Sequence, residues 1–178
     1  ETANIPSDFN IDIPDLTQKK LIHGYYACVS YIDEEIGKLI KHLKKLDIYE
    51  NSIIVLWGDH GWQLGEHNLW AKHCNYQTSL KVPLLIKYPK QIKHKRINTV
   101  VELLDIYPTL CELSNIEKPK HLQGKSLLYI NNSDPKNLNG SSKYHNGETV
   151  TSIKKSYTEW RKNDNSLKVD MMYDLVKD

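Results

Sequence analysis

Asp59, His60 and Lys72 are the side chains of this chain whose types and spacing best suit chemistry. Asp59 offers a hard anionic oxygen and His60 an imidazole nitrogen, so the pair can contribute to a bound cation. The glycines on either side, Gly58 and Gly61, let the backbone leave the extended conformation, which adjacent residues must do to reach one ion. Two ligands do not make a tight site, because calcium takes about six to eight oxygens and zinc four donors. The rest must come from elsewhere, and an Asp-His dipeptide taken alone is equally a hydrogen-bonded loop pair. Lys72 follows in the same segment as Glu66, His67, Trp70 and His73. A lysine ammonium is a compact point charge suited to a sulfate or phosphate oxygen, although a solvated surface lysine is its ordinary role. His67 and His73 can donate to a leaving-group oxygen or orient Lys72, or serve structure only.

An element must hold these groups, and the run Ile53-Ile54-Val55-Leu56-Trp57 leads directly into them. Apolar residues on both alternate sets read as a strand of a parallel sheet covered on both faces. Ligands collect at the carboxyl ends of such strands. Upstream, Leu21, Tyr25, Val29, Ile32, Ile36, Leu39, Leu43 and Leu46 recur at steps of four and three and predict one long amphipathic helix. That face suits packing on a sheet, with a coiled-coil seam as the rival. Downstream, 82–88 predicts a second strand and 97–101 a third, followed by a helix capped by Asp105 and carrying Ile106, Leu110 and Leu113. From Asn115 to Gly147 the composition turns to Asn, Ser, Lys, Pro and Gly and reads as a long surface connection. The runs 156–160 and 169–175, split by Lys162-Asn163-Asp164-Asn165-Ser166, predict an antiparallel hairpin.

Bulk properties narrow the partners. With 24 Lys and Arg against 22 Asp and Glu the net charge is +2, so no strong global field draws nucleic acid or a membrane surface. No apolar run approaches the ~18 residues that cross a bilayer. Cys28, Cys74 and Cys111 are odd in number and widely spaced, unlike a disulfide scaffold or a Cys-x-x-Cys zinc site. Asn131-Asn132-Ser133 and Asn139-Gly140-Ser141 match the glycosylation acceptor pattern. The start at Glu1 without methionine reads as a processed or truncated product.

An ordered set of segments carries a resemblance. Gly24-Tyr25-Tyr26-Ala27-Cys28-Val29-Ser30-Tyr31-Ile32-Asp33, the Asp59 to Lys72 loop, Val82-Pro83-Leu84 and Leu104-Asp105-Ile106-Tyr107-Pro108-Thr109-Leu110 look like the iduronate-2-sulfatase-type branch of the sulfatases. Leu122-Gln123-Gly124-Lys125-Ser126-Leu127, Tyr157-Thr158-Glu159-Trp160 and Tyr173-Asp174-Leu175 continue it. The resemblance implies an alkaline-phosphatase-like α/β fold, with 1–114 as the C-terminal part of the catalytic domain, 115–150 as a surface connection and 151–178 as an antiparallel subdomain. It implies calcium bound partly by Asp59 and His60, a sulfate contact from Lys72, and substrate contacts from His67, Trp70 and His73. The family nucleophile is a formylglycine made from cysteine in Cys-x-Pro-x-Arg. None of the three cysteines here stands in that motif, and the family's paired N-terminal aspartates have no counterpart. The expected partners are therefore a sulfated saccharide and an N-terminal sulfatase segment, without which these residues should not turn over. A zinc-dependent phosphoesterase of the same superfamily and a non-catalytic calcium or sulfated-glycan binder stay open as alternatives. The expected compartment is lysosomal, periplasmic or extracellular.

Overall fold

A computed structural model describes residues 13–89, 96–130, 139–162, 164 and 166–177. The chain divides into two compact units, 1–73 with 77–90, and 74–76 with 91–178. These divisions follow packing rather than composition, so the short segment Cys74–Tyr76 joins the later unit.

The first unit begins with α1, Asp15–Lys45, 31 residues long. Pro14 precedes it, where its missing N–H costs nothing, and its carbonyl accepts from the amides of Thr17 and Gln18. The helix stops at a left-handed Asp47, φ 57°. There the Ile48 amide donates to Leu43 and the Asp47 amide to Lys44, the paired bonds of a Schellman ending. Periodicity thus identified the helix, but no residue of α1 is fully buried. Val29, Ile32 and Leu39 are 51%, 54% and 58% exposed. Among the described residues nothing covers most of the apolar face that was expected to pack on a sheet. Tyr25, Ile36 and Leu43 are half-buried, and the Tyr25 ring is stacked on Trp62 at 6.2 Å.

β1, Ile54–Trp57, pairs with β4, Leu84–Lys87, in antiparallel register from Ile54↔Lys87 to Trp57↔Leu84. The expectation for 53–57, a strand of a parallel sheet covered on both faces, is corrected: its partner here runs oppositely, and Leu56, Trp57 and Leu85 are exposed. A continuous apolar run reports burial demand and carries no information on the direction of a neighbour. Lys87 ties this pair to the end of α1, because its ammonium donates to the carbonyls of Tyr49, Glu50 and Ser52 at 2.5, 3.1 and 3.3 Å. Between the strands lie the short pair β2, Gln63–Leu64, and β3, Trp70–Ala71, and the single-turn helix α2, Gln77–Leu80.

The second unit holds α3, Ile106–Leu113, with Ile106, Pro108, Thr109 and Cys111 buried. Asp105 acts earlier than expected. It closes a capping box with Glu102 at the start of the preceding 3-10 turn, Leu103–Asp105, and makes no side-chain cap on α3 itself. The other Asp105 oxygen accepts from the Lys125 amide at 2.8 Å, and Thr109 Oγ1 accepts from the Leu127 amide at 2.9 Å. These bonds hold the loop around Gly124, where a Cβ would run into the Leu104 carbonyl.

The third strand expected at 97–101 does not form, since a few β-branched residues without a partner edge make no ladder. Instead β5, Gly140–Tyr144, and β6, Gly147–Thr151, begin inside what composition presented as loop. With β7, Lys155–Arg161, and β8, Leu167–Asp174, they form a four-stranded antiparallel sheet in the order β5-β6-β7-β8. The expected C-terminal hairpin is β7 with β8. Thr149 and Thr158 are 1% and 0% exposed and share a hydroxyl–hydroxyl hydrogen bond of 2.8 Å across β6 and β7. Asn139 directly precedes β5, whereas Asn131 lies outside the described residues.

Candidate functional site

β1 delivers Gly58 to the amide-to-carbonyl bond with Pro83, and the chain then turns away from the sheet. Gly61 makes that turn because its Cα lies against the Thr78 carbonyl, where any Cβ would collide. Its amide donates to Ser79 at 2.8 Å. The turn leaves Asp59 82% exposed and His60 32% exposed by side chain.

The His60 ring is oriented from one side. Its Nδ1 lies 2.7 Å from the Gly61 carbonyl, which can only accept, so that nitrogen carries the proton of the neutral ring. Nε2 then presents a lone pair, and it lies 3.3 Å from Asp59 Oδ2. Two acceptors converging in this way repel unless a cation or a proton stands between them. The remaining Asp59 oxygen accepts from the His60 amide at 3.0 Å. The donor set of Asp59 and His60 therefore fits a shared cation, with the Gly61 carbonyl fixing the tautomer from behind. Among the described residues no group of three or more His, Cys, Asp or Glu is arranged to hold a metal.

From Gln63 to Lys72 the backbone forms a small hairpin in which β2 pairs with β3, Gln63↔Ala71 and Leu64↔Trp70. Gln63 is 1% exposed and its amide nitrogen donates to Thr78 Oγ1. At the tip, Glu66–Asn68 make a 3-10 turn, and the Glu66 carboxylate accepts from the Leu64 amide at 2.6 Å. Four residues of this short segment are left-handed: Gly65 at φ 113°, His67 at 55°, Asn68 at 57° and Ala71 at 75°. Gly65 suits that conformation and also admits the Trp70 ring, which a Cβ would meet at 3.3 Å. For His67, Asn68 and Ala71 the conformation is disfavoured by roughly 1–3 kcal/mol each, a pattern that clusters at functional sites. His67 is exposed at the tip, Trp70 half-buried against Gly65, Lys72 half-buried and His73 exposed. Among the described residues the Lys72 ammonium has no hydrogen-bond or ion-pair partner, so its charge is available to an anion.

Asp59, His60, His67, Trp70, Lys72 and His73 all belong to the first unit. Sequence reasoning passed over Asn75, two residues beyond His73. It is 3% exposed, and neither its amide oxygen nor its nitrogen has a partner among the described residues. A buried amide left in that state is costly, and Asn75 belongs to the second unit. Only its neighbourhood, Lys72-His73-Cys74-Asn75, offered a signal.

The sequence model of the sulfatase family matches residues 2–116, and that described as N-sulphoglucosamine sulphohydrolase, C-terminal, matches 65–176. A curated sulfatase of Formosa agariphila is 44% identical over 110 residues, 62% of this chain and 22% of its own length. Iduronate 2-sulfatase of Homo sapiens is 30% identical over 140 residues, 65% of this chain and 24% of its own. The chain thus spans about a fifth to a quarter of the length of these relatives. A solved structure in complex with its substrate D-glucosamine-2-N,6-O-disulfate superposes with a TM-score of 0.67 at 25% identity, covering 83% of this chain and 32% of that one. A phosphonate monoester hydrolase from Silicibacter pomeroyi gives 0.81 at 22% identity over 94% and 37%, a likeness of fold.

Proposed function

Because this chain belongs to the sulfatase family, with its α/β fold and a small antiparallel C-terminal sheet, we propose that it is the C-terminal portion of a sulfuric ester hydrolase acting on a sulfated sugar. The observation that carries this reading is the convergence of His60 Nε2 on Asp59 Oδ2 beside a loop that offers Lys72, unpaired among the described residues. Asp59 and His60 would hold calcium together with oxygens from an N-terminal segment, and the bound cation would supply positive charge to a sulfate oxygen. The same segment would supply the formylglycine nucleophile, since no cysteine here stands in the required motif.

The chain's own residues perform the remaining tasks. Lys72 places its ammonium on a nonbridging sulfate oxygen, where negative charge concentrates as the S–O ester bond breaks. Trp70 forms an apolar wall for the sugar, and its position is set by Gly65. His67 and His73 supply N–H groups to the sugar side, and one of them protonates the departing oxygen. The left-handed backbone at His67, Asn68 and Ala71 fixes these side chains before substrate arrives. The relatives' substrates, a sulfated glucosamine and an iduronate sulfate by their names, favour a glycosaminoglycan-type sugar. The compartment that suits such a substrate is lysosomal, periplasmic or extracellular, and no described helix is long and apolar enough to cross a membrane.

The test is an assay of the complete enzyme on sulfated and phosphorylated esters, with and without a calcium chelator. Sulfate release that chelation abolishes is the expected result. Turnover of phosphate esters alone, restored by zinc, would replace this reading with the phosphoesterase one.

A further inference from the structure

The end of the four-stranded sheet carries a second cluster of charge. The β5–β6 turn, with His145 at φ 50°, and the exit of β7 lie side by side, because the Arg161 amide donates to the Asn146 carbonyl at 3.0 Å. A cavity of about 680 Å³ opens there, lined by His145, Asn146, Trp160, Arg161, Lys162 and Lys168, with Val169 beneath. Among the described residues no carboxylate lines it.

The cations differ in how far they are neutralised. The Arg161 guanidinium is paired with Glu159. Among the described residues Lys162 and Lys168 have no carboxylate within ion-pair distance, and both are exposed. Trp160 supplies the apolar surface. Its ring crosses Gly147, where a Cβ would run into both the Trp160 indole and the Asn75 amide, so glycine is required for the ring to lie there. Val169, opposite Trp160 in the β7–β8 register, is 52% exposed and extends that surface.

We infer that this cavity is an accessory binding site for a sulfated oligosaccharide, with Lys162 and Lys168 contacting sulfate groups and Trp160 packing on a sugar face. Pyranose rings present apolar C–H faces with anionic groups at the edge, which matches one aromatic wall ringed by ammonium groups. A free inorganic anion would use the cations but leave Trp160 and Val169 wet. The choice of a saccharide rests on the function proposed above, whereas the charge cluster stands without it.

The test is calorimetric titration of the full chain with a heparin hexasaccharide, its desulfated counterpart and a single-stranded DNA of equal charge. Lys162→Ala/Lys168→Ala is exposed and should leave the unfolding temperature unchanged. It is expected to weaken hexasaccharide binding about tenfold, equivalent to about 1.4 kcal/mol. Trp160→Phe, which keeps an aromatic wall, should bind more tightly than Trp160→Leu at equal thermal stability. An unchanged Kd in the double variant, equal affinity for the desulfated sugar, or equal affinity for DNA would overturn the site. Failure of the unsubstituted chain to bind the hexasaccharide, with sulfate release by the complete enzyme intact, would sink the accessory site alone, because none of these residues belongs to the Asp59 to Lys72 loop.

Discussion

The two units differ in how they use apolar surface. In the second, α3 buries Ile106, Pro108, Thr109 and Cys111, and the sheet buries Thr149, Ser156 and Thr158. In the first, which carries Asp59, His60 and Lys72, the buried described residues are Gln63 and Ser79, both polar. Its apolar side chains stand on α1 and on the β1–β4 pair, largely exposed. Exposed apolar surface of this kind, where it is contiguous, marks an interaction face. The second unit builds its own interior, while the first leaves its apolar side chains exposed beside the candidate site.

This contrast can be broken most severely at the site. Lys72→Ala in the complete enzyme should lower kcat/KM by about 10²–10³, roughly 3 kcal/mol of transition-state stabilisation. Steady-state kinetics on a sulfated ester would measure it, and an unchanged kcat/KM would remove Lys72 from the chemistry. Asp59→Asn should raise the calcium needed for half-maximal activity, since the pair loses its only anionic oxygen.

Next come substitutions that separate the units. Gly124→Ala in the second unit should destabilise by about 1–3 kcal/mol, because the added methyl meets the Leu104 backbone carbonyl. Chemical denaturation would register that loss. Ile32→Ser on α1, at a residue 54% exposed, should change the stability of this chain by no more than about 0.5 kcal/mol. The same substitution should weaken association with an N-terminal sulfatase segment, read by co-purification. Equal destabilisation by both changes would show that α1 is already packed and would erase the contrast.

What the sequence disclosed follows the same division. The period of α1 and the apolar run of β1 were legible because helix face and strand burial leave direct signatures, and the Asp59 to Lys72 loop stood out as a candidate by its residue types. The antiparallel sense of β1 and β4 was not, as pairing direction depends on a neighbour 30 residues away. β5 and β6 were hidden because Gly140-Ser141-Ser142-Lys143-Tyr144 has no aliphatic residue and Gly147-Glu148-Thr149-Val150-Thr151 turns Thr149, not an aliphatic residue, to the inside. A buried hydroxyl pair satisfies itself across strands, and hydropathy reads it as loop. The exposed face of α1 lies beyond what periodicity reports, since a period shows that a face is apolar and not what covers it.

The smallest effect belongs to the sheet's outer face. The Lys143 ammonium, 2.6 Å from Glu148, holds that carboxylate below its usual pKa by hydrogen bonding first and charge second. A depressed folded-state pKa contributes stability present above the unfolded value and lost as pH falls through the folded one. Lys143→Ala should therefore flatten the acid limb of the stability curve slightly, and more so at low salt, with the pair fully exposed to screening.

The most direct measurement compares sulfate release by the 178-residue chain alone with release by the same chain joined to an N-terminal sulfatase segment carrying Cys-x-Pro-x-Arg. The account predicts calcium-dependent turnover from the joined protein and none from the chain alone. Turnover by the chain alone, or a joined protein that folds and binds calcium yet releases no sulfate from any sulfated sugar, would contradict it.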